Sequence, residues 1–166
     1  MNHRVKIGLI ASSGGHLEEL RWMRGLEKNY SYFYFTELGG FENVNYIKNA
    51  YFVEKIDRKE RGFLRHFIKL TFESFSVLRK EKPDVLISTG SLVAVPMLYL
   101  GKLMGKKIIF VETIARIEDL SLTGKLIYPI ADYFIVQWEN LQRKYPKTVY
   151  VSGIFGRSGA DKEQKV

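Results

Sequence analysis

Seven short runs of apolar residues punctuate this chain: Val5–Ala11, Tyr32–Thr36, Tyr51–Val53, Val85–Ser88, Lys107–Val111, Tyr133–Val136 and Val149–Val151. Within each run hydrophobicity is continuous rather than alternating. A strand that is apolar on every residue must be buried on both faces, which is the signature of a parallel sheet covered by helices. Between the runs lie stretches with helical periodicity: Leu17–Glu27, Arg61–Lys80, Leu92–Leu103, Thr123–Ala131 and Trp138–Lys144. Pro83 ends one helix and leads into Val85, and Gly105 ends another before Ile108. Strand and helix thus alternate, and the expected fold class is α/β: a single Rossmann-like, doubly wound parallel sheet with right-handed crossovers. One domain over residues 1–155 is expected, followed by a polar, flexible tail over 156–166.

Composition narrows the function. With no cysteine, disulfides and thiolate metal sites are excluded. The apolar run after Met1 is too short for a signal-peptide core, and no segment reaches the ~20 apolar residues of a spanning helix. A cytoplasmic location is therefore expected. Twenty-six Lys and Arg against 18 Asp and Glu give a formal charge of +8. Such an excess suits anionic partners or simply confers solubility. No RNA-binding motif accompanies the basic residues, and the aromatics sit mainly in apolar runs, so no nucleic-acid partner is expected.

In a doubly wound sheet, ligands bind beyond the carboxyl ends of the strands. Three chemistry-bearing segments fall there. The first strand runs into Ser12-Ser13-Gly14-Gly15-His16 and then a helix. Glycines let the backbone present N–H groups unobstructed, and a helix start adds partial positive charge, so Ser13, Gly14 and Gly15 suit a phosphate. The segment is neither a dinucleotide fingerprint nor a Walker loop. Gly14-Gly15 can equally be only a tight turn, and His16 only a polar cap. The fourth strand exits into Thr89-Gly90-Ser91, which fits phosphate or sugar hydroxyls, or leaves Ser91 to cap the next helix. The fifth exits into Glu112-Thr113, with Arg116 close behind. Glu112 at a crevice would be a general base with a raised pKa, or else the ion-pair partner of Arg116.

The block Val5–His16, ending Ala-Ser-Ser-Gly-Gly-His, resembles the start of PssD-type polysaccharide biosynthesis proteins. The resemblance continues through Pro83–Gly90 and Val95-Pro96. It is strongest across Val111–Arg116 and Ser121–Asp132, and closes at Phe134–Trp138. Residue 113 is threonine where serine is usual in the family. These proteins are bacterial relatives of the membrane-anchoring subunit that helps add the second GlcNAc in asparagine-linked glycosylation. The resemblance implies the N-terminal, acceptor half of a GT-B glycosyltransferase. A separate small subunit would bind the UDP-sugar, and the acceptor would be a polyprenyl-diphosphate-linked sugar. The product implied is a capsule or exopolysaccharide precursor, with galactose or GlcNAc as the sugar transferred. No second βαβ unit follows residue 155 to bind a nucleotide sugar, and no Asp-x-Asp motif occurs. Neither a metal nor a cofactor is expected.

The stretch Arg61–Lys80 carries a further signal. At helical period its apolar residues, among them Phe63, Phe67 and Leu70, fill an arc of roughly 220°, against the ~100° that docking a helix needs. Lys69 and other basic residues occupy the rest. Such a helix lies in the headgroup region of an anionic membrane, faces a partner, or packs into the core. Peripheral association with the inner face of the cell membrane follows from the first of these. For mechanism, two readings stand. In one, His16 or Glu112 takes the proton of the acceptor hydroxyl, and Arg116 contacts the diphosphate or positions Glu112. In the other, this subunit is a noncatalytic scaffold that recruits a catalytic partner. A lone nucleotide-binding enzyme is a third possibility.

Overall fold

The computed structural model describes residues 4–23, 25–38, 49–57 and 59–152; the boundary at 155 and the tail expected over 156–166 lie outside them. The elements, in chain order, are β1 (Lys6–Ala11), α1 (Gly15–Arg21), α2 (Gly25–Asn29), β2 (Ser31–Leu38), β3 (Ala50–Glu54), α3 (Phe63–Glu81) and β4 (Val85–Ser88). There follow α4 (Ala94–Leu103), β5 (Lys107–Val111), α5 (Leu122–Ile127), β6 (Tyr133–Val136), α6 (Glu139–Lys144) and β7 (Thr148–Tyr150). The strands form one seven-stranded sheet, ordered β3-β2-β1-β4-β5-β6-β7, with every neighbouring pair parallel. The direction of winding reverses between β1 and β4, as the doubly wound reading requires.

Two aspartates at the strand starts help set the register. The Asp84 carboxylate accepts a hydrogen bond from the Lys6 amide at 2.8 Å, joining β4 to β1. Asp132 does the same for the Ile108 amide of β5 at 2.8 Å, with Lys102 and Lys107 close by. The expected helix Leu17–Glu27 is in fact two, because the chain turns at Trp22-Met23 with tight hydrogen bonds from Met23 to Leu20 and from Leu26 to Met23. Gly25, a poor helix former, begins the second.

The sheet is covered unequally. Helices α3 to α6 bury one face, where Ile10, Phe33, Phe35, Leu86, Phe110 and Phe134 form the main core. Helix α1 and Leu26 of α2 pack on the other face, over Ile7, Leu9, Tyr34 and Ile87. Among the described residues that second layer stops short of β6 and β7, contrary to the expectation of cover on both faces. Tyr133, paired in register with Ile109, is 57% exposed there, and Val149 beside Ile135 is also exposed.

Helix α3 ends where Lys82 adopts left-handed backbone (φ 48) just before Pro83. Its inner stripe is Leu70, Ser74, Val77 and Leu78. Leu70, at 2% exposure, is therefore a core residue and not part of a membrane or partner surface as expected. Burying such a side chain contributes about 1.5–3 kcal/mol, which is why the helix rolls this stripe inward. Phe63 and Phe67 are half-buried and pack on each other at 5.7 Å between ring centroids. Leu64, Ile68, Phe72 and Phe75 remain outside, Phe72 at 71% exposure. Lys69 pairs with Glu54 at 2.9 Å on the same outer side. No helix among the described residues is long and apolar enough to cross a membrane.

Candidate functional site

The carboxyl ends of the central strands open into a groove of about 690 Å³, lined by Ser12, His16, Glu37, Lys55, Ser91, Thr113 and Arg116 among others. A second depression of about 700 Å³, near Arg4, Tyr30, Tyr51 and Lys80, lies at the amino ends of the strands. Ligands of doubly wound sheets sit at the carboxyl ends, so the first groove is the candidate site.

His16, in the first turn of α1, is held from three sides. The Thr89 hydroxyl donates to its carbonyl oxygen at 2.7 Å. Its ring lies against Gly90, where an added Cβ would come 3.1 Å from Cε1 and 3.3 Å from Nδ1. Gly90 also has φ 129, a backbone region L side chains rarely adopt. Third, Nδ1 lies 3.4 Å from a carboxylate oxygen of Glu19, one helical turn on. The other Glu19 oxygen accepts from the Thr113 hydroxyl at 2.8 Å, which ties α1 to the end of β5.

Ser91 adopts left-handed backbone (φ 79), costly for a residue with a Cβ. It does not cap α4 with its side chain, since the N-cap is Val93. Its buried Oγ has no hydrogen-bond partner among the described residues. Ser13, Gly14 (φ 92) and Gly15 form the turn between Ser12 and His16, and no side chain caps the helix there. Thr89 and Gly90 are buried beneath the groove.

Glu112 departs furthest from expectation. It is 1% exposed and does not open on the groove. One oxygen accepts from the Ser121 amide at 2.9 Å and from the Ser121 hydroxyl at 3.1 Å; the other accepts from the Thr113 amide at 3.1 Å. Burial pushes its carboxyl above the usual range against these hydrogen bonds, and Arg116 adds only the weakest of the opposing influences. The alternative of an Arg116 ion pair is therefore replaced by a hydrogen-bonded anchor. Ser121 in turn caps α5 by accepting from the Gly124 amide at 2.9 Å. Arg116 sits exposed on a loop pinned by Trp138 to the Ile114 carbonyl at 2.7 Å and by Asn140 to that of Ile117. Asp119 anchors the far end of this loop to Lys125, Lys144 and Tyr145, and the Lys125 hydrogen bond leads in holding its carboxyl well below the usual range.

Two acids in and beside the groove escape a reading of the sequence. Glu19 looks like one of several solvated acids on a short helix, although its spacing of three from His16 is a signal. Glu37 ends the apolar run of β2 as Glu112 ends that of β5, so the same reasoning would have found it. It is 5% exposed, accepts from the Ile56 amide, and is pushed above the usual carboxylate range by burial. Because its folded pKa is raised, the folded state holds the proton more tightly. That stabilisation is complete below the unfolded pKa and is lost as pH rises through the folded value. Glu37→Gln, which keeps an acceptor for Ile56, should therefore flatten the fall in stability between the ordinary carboxylate range and neutrality. Thermal unfolding at pH 7 should move up by about 2–4 °C, for roughly 1 kcal/mol of relieved burial. An unchanged pH slope would refute this.

Among the described residues no group of three or more His, Asp or Glu is placed to hold a metal ion. Phe63, Phe67, Lys69 and Leu70 belong to α3 and are not among the groove-lining residues.

Comparison with known proteins agrees with this architecture. The chain superimposes on MurG from Acinetobacter baumannii with a TM-score of 0.67 at 17% identity, covering 83% of this chain and 42% of MurG. UDP-GlcNAc 2-epimerase from Methanocaldococcus jannaschii gives 0.67 at 22% identity, over 89% of this chain and 45% of that one. At such identities the likeness concerns the fold, and this chain spans less than half the length of either solved protein. Sequence similarity is closer elsewhere. The rat UDP-N-acetylglucosamine transferase subunit ALG14 is 34% identical over 183 residues, which take in 91% of this chain and 84% of the relative. The human subunit of the same name is 32% identical, over 90% and 83% respectively. Residues 41–155 match the family model described as "Oligosaccharide biosynthesis protein Alg14 like". From the parallel sheet, the groove at its carboxyl edge and these matches, the chain belongs to the Alg14-like family of oligosaccharide biosynthesis proteins.

Proposed function

We propose that this chain is the acceptor-binding subunit of a two-component inverting glycosyltransferase of PssD type. A separate small subunit holds the UDP-sugar, and the acceptor is a polyprenyl-diphosphate-linked saccharide at the inner face of the cell membrane. The sugar is a hexose, galactose or GlcNAc, and the product feeds capsule or exopolysaccharide synthesis. The observation that carries this reading is the correspondence over most of their length with proteins named as UDP-N-acetylglucosamine transferase subunits, joined to a groove that holds a fixed imidazole. The diphosphate meets the turn Ser13-Gly14-Gly15, Ser91 and Arg116, while the buried Thr89 and Gly90 hold His16 from beneath instead of touching the ligand. His16 takes the proton of the acceptor hydroxyl as its oxygen bonds to the anomeric carbon. The bond from that carbon to the UDP oxygen breaks with its electron pair, and UDP leaves as an anion.

The test is co-expression with the small subunit and transfer of labelled sugar from UDP-sugar to polyprenyl-diphosphate acceptors. Transfer is expected from the pair and not from this chain alone. Robust turnover by the isolated chain would overturn the reading. A second reading, in which this chain shapes the acceptor site for a catalytic partner, draws support from Glu112. One of the two expected bases is consumed in anchoring a loop.

Membrane contact is assigned to the outer side of α3, where Leu64, Ile68, Phe72 and Phe75 lie beside Arg65, Lys69 and Arg79. Inserting such side chains contributes about 1 kcal/mol or more each, so replacing Leu64 and Phe72 together by Gln should weaken vesicle binding at least roughly tenfold. Co-sedimentation with vesicles containing phosphatidylglycerol measures this, and undiminished binding would move the contact elsewhere.

A further inference from the structure

We propose that Glu19 is the positioning residue for His16: it receives the imidazole Nδ1–H, fixes the tautomer, and leaves Nε2 as the nitrogen that meets the acceptor hydroxyl. This rests on the reading of His16 as the base. The geometry is specific. Glu19 and His16 are three residues apart on α1 and therefore share a face. The Glu19 side chain is largely buried, and the Thr113 hydroxyl occupies one of its oxygens, so the carboxylate cannot swing away. The other oxygen and His16 Nδ1 are both buried, and neither has a hydrogen-bond partner among the described residues. They lie 3.4 Å apart, a separation that a small side-chain rotation closes to a hydrogen bond.

Gly90 supports one face of the ring, and Thr89 holds the backbone of residue 16. With Nδ1 buried, the exposed third of the His16 side chain lies on the rest of the ring, toward the groove that His16 lines. A neutral imidazole has one donor and one acceptor nitrogen, and the partner of the first decides which is the second. A carboxylate fixed beside Nδ1 makes it the donor and turns Nε2 into the acceptor. When Nε2 takes the proton, the Glu19 carboxylate faces the resulting imidazolium and stabilises it without accepting the proton itself. Glu37 from β2 also bears on the same ring, and Lys55 and Arg116 line the same groove.

The chain contains three histidines, so nitrogen-15 NMR of the full-length protein, assigned with His16→Ala, resolves His16 directly. In the parent, the neutral imidazole of His16 should appear as the Nδ1–H tautomer. In Glu19→Gln the charge is lost while the shape is kept. The preference for the Nδ1–H tautomer should then be lost, and kcat of the reconstituted pair should fall by roughly 10²-fold with KM little changed. Thr113→Val, which frees the carboxylate of its anchor, should reproduce the tautomer loss in part. A His16 tautomer that is the same in the parent, Glu19→Gln and Thr113→Val would overturn the proposal. Failure of the base reading looks different: His16→Ala would then retain transfer, while the tautomer would still respond to Glu19.

Discussion

His16→Ala should lower sugar transfer by the reconstituted two-subunit enzyme by about 10²–10⁴-fold, the range over which a positioned general base acts. On the proposed reading the loss should fall on kcat, because other groups would hold the acceptor's lipid and diphosphate while the imidazole acts on the reacting hydroxyl alone. Removing the ring also leaves a space over Gly90 that the backbone there, at φ 129, does not need to fill. Stability should therefore change little, and assembly with the partner should survive. A variant that assembles normally and transfers at the parent rate would establish the scaffold reading in place of the catalytic one.

The second large effect is on stability. Glu112→Gln should destabilise the fold by about 3 kcal/mol, although it changes a single atom. The carboxylate accepts from the Ser121 amide, the Ser121 hydroxyl and the Thr113 amide. A carboxamide supplies only one acceptor oxygen, so its NH2 must face a backbone N–H. A buried donor without an acceptor costs about 1–3 kcal/mol, and hydrogen bonds to a charged acceptor are the stronger kind. The apparent melting temperature should drop by about 6–12 °C for a chain of this size. Denaturant unfolding distinguishes this from a catalytic role. Parent-like stability combined with lost transfer would make Glu112 a base after all.

The two glutamates show what a sequence can and cannot display. The continuous apolar runs made the strands legible to within a residue or two, because burial on both faces leaves a local mark. Glu112 was legible as a carboxylate at a strand end. That its oxygens turn inward toward Ser121 was not, since the loop between Thr113 and Leu120 is arranged by Trp138, Asn140 and Asp119, the first two distant in sequence. Glu19 was obscured by the reverse effect. It looks like an acid on a solvated helix, and only the approach of β5 brings Thr113 to it. The arc on α3 failed for a related reason. Periodicity located an overwide apolar face but not the rotation that sends Leu70 inward and Phe72 outward, which depends on where the sheet and α4 lie.

The packing of His16 on Gly90 has a counterpart in Gly124, where an added Cβ would meet a Glu112 oxygen at 2.2 Å. In each pair a functional or anchoring side chain occupies the volume that the glycine leaves empty. Neither glycine can acquire a side chain while its partner stays, and Gly90 is held further by its φ of 129. In lineages descending from this chain, a side chain at either glycine should therefore appear only where its partner has been lost. A gene in which position 90 has drifted from glycine should also have lost the imidazole at position 16, and with it the capacity for transfer. The state of two codons far apart in the gene would thus serve as a record of whether a given descendant still has the side chain on which the proposed transfer depends.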